Sequence, residues 1–157
     1  MFVRYFVELD LAFDVAEGAL LGAPEDWIPG LAVGASSQGQ RLLAEVGFGD
    51  GTRVEKLVLV ELARPIRLES KILLPMRWEP AGDRGLFPTM DGDIELAPLG
   101  ASRTQLAMTA RYTPPFGMLG AMADRALLHR VAEATVRDLV ERIARGLQGR
   151  LTAAAIS

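Results

Sequence analysis

The chain has 157 residues, which suits a single domain, since one hydrophobic core usually serves roughly 100–200 residues. Half of the residues are hydrophobic and 24% are charged, a balance that excludes a disordered chain. With 17 basic against 20 acidic residues the formal net charge is −3, so a phosphate backbone gains no broad attraction and nucleic acid is not an expected partner.

In chain order, Met1-Phe2-Val3-Arg4-Tyr5-Phe6-Val7-Glu8-Leu9 reads as a strand. Charges inside the run and the lack of a small-residue cleavage site argue against a signal peptide. Residues 13–21 space their apolar side chains as a short helix does, and Gly22 and Pro24 stop it. Pro24-Glu25-Asp26-Trp27-Ile28 starts a second short helix, with proline and two acids at the positive end of the helix dipole and Pro29-Gly30 closing it. The Gly-, Ala- and Ser-rich stretch up to Gln40 reads as loop or a frayed strand. From Arg41 the period becomes two: Leu42, Ala44, Val46 and Phe48 alternate, and Gly49-Asp50-Gly51 supplies the positive-φ residues of a tight hairpin. In the next strand, 53–62, Val58, Val60 and Leu62 share one face while Leu57 and Leu59 take the other, which predicts a central strand covered on both sides.

Cleaner alternation follows. Ile66 and Leu68 stand against Arg67 and Glu69, and Ile72, Leu74, Met76 and Trp78 stand against Lys71, Arg77 and Glu79. After a turn over 80–85, the segments 86–96 and 104–112 pair around Gly100-Ala101-Ser102, with Ile94, Leu96, Leu106, Met108, Ala110 and Tyr112 facing inward. Short turns between successive strands predict an antiparallel meander, which curls through its own twist. Pro114-Pro115 ends the last strand, and residues 117–147 form one long helix. Its inner face carries Leu128, Val131, Ala132, Thr135, Val136, Leu139, Ile143 and Leu147, with Glu133, Arg137, Glu141 and Arg145 mostly opposite. Residues 1–150 are therefore expected to make one domain, and 151–157 a loose tail of small residues.

This succession of elements resembles the START-like, or SRPBCC, superfamily, which includes polyketide cyclase-like proteins and carriers of hydrophobic ligands. The likeness spans nearly the whole chain, and Pro24-Glu25-Asp26-Trp27-Ile28-Pro29 is similar to the family's acid-then-tryptophan turn. The resemblance implies an α+β helix-grip (Bet v 1-like) fold: a curved seven-stranded antiparallel sheet around a long C-terminal helix, with two short helices after the first strand. It also implies a hydrophobic cavity between sheet and helix. Members range from carriers and sensors to cyclases and share no catalytic motif, so the resemblance leaves the activity open.

Candidate ligand-binding residues are Arg125, His129, Tyr112, Trp78, Met76 and Met108. Arg125 and His129 lie four residues apart beside the inner face of the long helix, where the arginine would hold a carboxylate or phenolate and the histidine would donate a hydrogen bond or move a proton. The plainer reading has Arg125 reaching water or an acid such as Asp124, and His129 capping the end of the sheet. Trp78, Met76, Met108 and Tyr112 have inward parity and suit either a flat apolar ligand or a filled core. Trp27 is either a lid edge near the cavity mouth or a pin of the second helix to the sheet. No catalytic residue is assigned, and no cofactor is expected.

Other chemistry lacks its residues. Asp91 and Asp93 share a strand face with no histidine near them in sequence, so no metal site is expected. The glycines at 47, 49 and 51 precede no helix, which excludes a dinucleotide loop. His129 is the single histidine and no serine stands in a Gly-x-Ser-x-Gly elbow, leaving a hydrolase unsupported. Cysteine is absent, which suits a reducing cytoplasm, and no apolar run reaches the roughly 18 residues of a membrane span. The expectation is a cytoplasmic carrier or sensor of a small hydrophobic molecule. The alternatives are a polyketide cyclase or dehydratase with His129 as acid or base, and a homodimeric interaction protein with a filled core.

Overall fold

Period-two and period-3.6 patterns sort into strands and helices much as the sequence suggests, in a computed structural model that describes residues 1–45, 58–80, 89–113 and 125–156. The elements are β1 (Phe2–Leu9), α1 (Phe13–Leu21), α2 (Pro24–Glu45), β2 (Val58–Leu62), β3 (Ile66–Arg67), β4 (Ile72–Pro80), β5 (Thr89–Pro98), β6 (Thr104–Thr113) and α3 (Arg125–Ile156). The described strands form one antiparallel sheet in the order β1-β6-β5-β4-β2, with β3 also paired to β4. The first and last strands of the described chain are thus neighbours, and Met1 N and Tyr112 O lie 3.0 Å apart where they meet.

Alternation decides which face each strand turns inward. Val3 and Leu9 on β1, Leu74, Met76 and Trp78 on β4, Met90, Ile94 and Leu96 on β5, and Leu106, Met108, Ala110 and Tyr112 on β6 are all buried on the concave face. Leu128, Val131, Ala132, Thr135, Val136, Leu139, Ile143 and Leu147 are the buried stripe of α3, as their spacing predicts. The convex face carries ion pairs: Glu95 is held by Lys71 at 3.2 Å and Arg4 at 3.6 Å, and Asp91 stands beside Arg111 and Arg77 in register. The backbones of β5 and β6 approach so closely at Gly92 that an added Cβ would lie 2.4 Å from the Thr109 carbonyl oxygen.

Some expectations need correction. The second helix does not close at Pro29-Gly30 but runs to Glu45 with Pro29 inside it. Its interior proline removes one backbone donor, yet Ile28, Ala32 and Ala35 form a fully buried stripe at helical spacing that outweighs this loss. Residues 41–45, expected to begin a strand, are therefore helical, since adjacent Leu42 and Leu43 with Arg41, Ala44 and Glu45 are good helix formers too. The described sheet has six strands; the remainder of that expected strand, at 46–48, lies outside the described residues, as do the hairpin glycines 49 and 51 and the segments 81–85 and 114–124. Among the described strands β2 ends the order, and Leu59 on its outer face is 59% exposed. At the far end of the chain the backbone of α3 stays helical through Ile156, where the sequence suggested a tail.

Helices α2 and α3 approach closely because glycine stands at their contacts. An added Cβ at Gly34 would meet Arg142 Nη1 at 2.7 Å, and one at Gly146 would meet the Trp27 ring at 2.8 Å. Arg150 completes this contact by donating from Nη2 to the Gly22 carbonyl at 2.6 Å while its guanidinium sits 5.0 Å from the Trp27 ring centre. Trp27 thus pins α2 to α3, a helix-to-helix contact where the sequence suggested a pin to the sheet.

Candidate functional site: the concave wall

The register of the strands arranges the inward side chains in rows. Val60, Trp78, Met90 and Tyr112 stand opposite one another across β2, β4, β5 and β6. The next row runs Leu62, Met76, Gly92, Ala110 and Val3, and the one after it Leu74, Ile94, Met108 and Tyr5. Two large aromatic side chains therefore bracket Met90 in the first row, and two of the smallest residues lower the floor beside it. Trp78 and Tyr112 are each 1% exposed.

Polarity on this wall is sparse. Burial pushes the Tyr112 hydroxyl well above the ordinary phenol range, so it stays protonated. The Trp78 indole Nε1 is buried without a hydrogen-bond partner. Tyr5, lower on the wall, donates to Glu141 Oε1 on α3 at 3.0 Å, and burial followed by this bond raises its pKa. Thr135 and Thr104 spend their hydroxyls on the carbonyls of Val131 and Leu11, both at 2.8 Å.

Of the six residues singled out in the sequence, four meet here: Trp78, Met76, Met108 and Tyr112 share the concave wall. Arg125 and His129 do not join them. Both are exposed, and His129 Nε2 lies 3.0 Å from Glu133 Oε1 with side-chain exposures of 46% and 57%. Arg125 falls in the angular range of the inner stripe but precedes Leu128, its first buried position, while His129 stands at the stripe's edge next to Glu133. Met90 belongs to the wall as well; its parity with Ile94 is the sequence signal that identifies it.

A surface cleft of about 290 Å³ opens elsewhere, lined by Leu21, Ala23 and Pro24 from the α1–α2 corner and by Leu62, Arg64 and Leu74. Ala23 there has φ 48°, an uncommon conformation for a residue with a side chain. The cleft borders the wall only through Leu62 and Leu74 and includes neither Trp78 nor Tyr112. Because its lining comes from distant parts of the chain, no local sequence signal marks it. Asp91 is exposed on the convex face, and no group of three metal-ligating side chains occurs among the described residues.

A curved antiparallel sheet whose concave face is closed by one long C-terminal helix decides the architecture. The fold is the helix grip. The chain is similar to a conserved protein from Geobacillus kaustophilus, with 13% identity, coverage of 95% of this chain and 96% of that one, and a TM-score of 0.56. It is also similar to an aromatase/cyclase from Streptomyces sp. R1128, at 15% identity, 98% and 97% coverage and a TM-score of 0.49. A hypothetical protein from Helicobacter pylori follows at 13% identity, 90% and 87% coverage and a TM-score of 0.46. No family model and no curated protein matches the sequence. At such identities the likeness concerns the helix-grip fold, in keeping with the START-like resemblance of the sequence. No helix among the described residues is long and apolar enough to cross a membrane.

Proposed function

We propose that the protein binds a small hydrophobic molecule, such as a lipid, polyketide or aromatic metabolite, between the concave sheet and α3, as a carrier or sensor. The observation that carries this reading is the wall of Trp78, Met90, Tyr112, Met76 and Met108, which is apolar apart from two hydrogen-bonding tips. Burial of apolar ligand surface against it supplies affinity at about 25 cal/mol per Å² before the costs of association. A cyclase-like reaction would need a proton carrier at the ligand, and His129 is turned to the exposed side beside Glu133. Replacing His129 with alanine is expected to leave ligand affinity within about twofold of wild type in a fluorescence titration, as surface substitutions usually change little.

A second reading, a dimer with a filled core, is favoured by Phe2 and Phe6, which are 66% and 53% exposed on β1, an edge of the described sheet. Native mass spectrometry of protein isolated from its own host separates the two. The carrier reading expects a monomer retaining a small molecule; an empty dimer sinks it in favour of the filled core.

A further inference from the structure

Resting on that reading, we infer that the bound molecule is uncharged where it is buried and presents a hydrogen-bond acceptor, such as a ketone, aldehyde or ester carbonyl, to the indole Nε1 of Trp78.

The buried threonines and the buried glutamate around the wall are already satisfied within the protein, while Tyr112 contributes a neutral hydroxyl to it. Thr135 and Thr104 bond to backbone carbonyls, and Glu95 turns outward to Lys71 and Arg4. Only two buried side-chain donors lack a partner among the described residues, the indoles of Trp27 and Trp78. Trp27 lies between α2 and α3 with its ring against Gly146 and the Arg150 guanidinium over it. Trp78 lies on the concave wall in the row of Met90 and Tyr112 and is 1% exposed. Leaving such a donor dry and unbonded forfeits the hydrogen bond it makes to water, which an acceptor on the ligand would recover.

The same surroundings select against charge. Among the described residues Glu95 is the single buried charged side chain, and it belongs to the convex face. Arg125 and His129 are exposed, so neither offers a counter-charge at the wall. Tyr112 keeps its proton and offers a neutral hydroxyl. A carboxylate or ammonium placed beside Trp78 would be desolvated with nothing to balance it, whereas a carbonyl would receive one good hydrogen bond. The wall thus discriminates between ligands of equal size by one acceptor atom and by charge.

Three probes of matched shape test this: acetylnaphthalene, ethylnaphthalene and naphthoate, titrated by calorimetry and followed in proton–nitrogen correlation spectra. With two tryptophans in the chain, the indole region holds two signals, and the Trp78→Phe variant assigns them. The expected result is that acetylnaphthalene binds about tenfold more tightly than ethylnaphthalene or naphthoate and moves the Trp78 indole signal downfield, while the Trp27 signal stays in place. Trp78→Phe should bring the ketone and the hydrocarbon within about twofold of each other. Should Trp78→Phe fail to fold, the indole shift in the wild-type protein still decides. Equal binding of ketone and hydrocarbon, a Trp78 signal unmoved by bound ketone, or naphthoate binding as well as the ketone would overturn the inference while leaving hydrophobic binding intact. If none of the three binds, the carrier reading itself fails and takes the inference with it.

Discussion

Two glycines on α3, three residues apart, face opposite circumstances. An added Cβ at Gly146 would press on the Trp27 ring at 2.8 Å, whereas nothing lies within 4 Å of one at Gly149. Gly146→Ala is therefore expected to lower stability by about 1–3 kcal/mol through overpacking. Gly149→Ala should raise it by about 0.5–1 kcal/mol through helix propensity. Urea denaturation of the two variants would show these opposite signs, and a shared sign would refute the packing argument. Tyrosines set the alkaline limit. Burial raises the pKa of Tyr112, and burial with the Glu141 hydrogen bond raises that of Tyr5, while an unfolded phenol ionises near about 10. Because the folded chain holds these protons more firmly, their contribution to stability is whole below about pH 10 and is lost as pH rises past it. Melting temperatures measured above that pH should fall less steeply for Tyr112→Phe than for the wild type.

Arg150 joins three elements: it bonds the Gly22 carbonyl at the α1–α2 corner and covers the Trp27 ring from α3. A charge-assisted hydrogen bond and a cation–π contact together make Arg150→Ala costly by about 2 kcal/mol, against about 0.5 kcal/mol at most for the exposed Arg145→Ala. Thermal melts of the two variants check the difference. At this scale the sequence was informative where one periodicity ran long. The stripe from Leu128 to Leu147 and the alternation from Ile72 to Trp78 both matched observed burial. It misled over α2, because Pro29, the glycines and Ser36 carry poor helix propensity, and what sustains the helix is the burial of Ile28, Ala32 and Ala35 against partners distant in the chain.

For the whole molecule, ligand binding and folding are linked. A hydrophobic probe that binds the helix grip but not the unfolded chain should stabilise it by about 2.7 kcal/mol when present at 100 times its dissociation constant. Differential scanning fluorimetry with acetylnaphthalene would register this as a rise in melting temperature; an unchanged melt at that ratio would count against specific binding to the folded state.

Local patterns were enough to specify the sheet's inward faces, the stripe of α3 and the membership of Trp78, Met76, Met108 and Tyr112 in one wall, because alternation and helical phase are properties of short stretches. They could not place Arg125 and His129. Helical phase sets only direction, and whether a side chain so directed meets protein or water depends on how far the sheet extends beneath it. Nor could they bring Met90 between two aromatic rings, set Trp27 under Arg150, or leave the Trp78 indole buried without a bond. Those relations join strands and helices tens of residues apart, and only the closing of the sheet on α3 creates them.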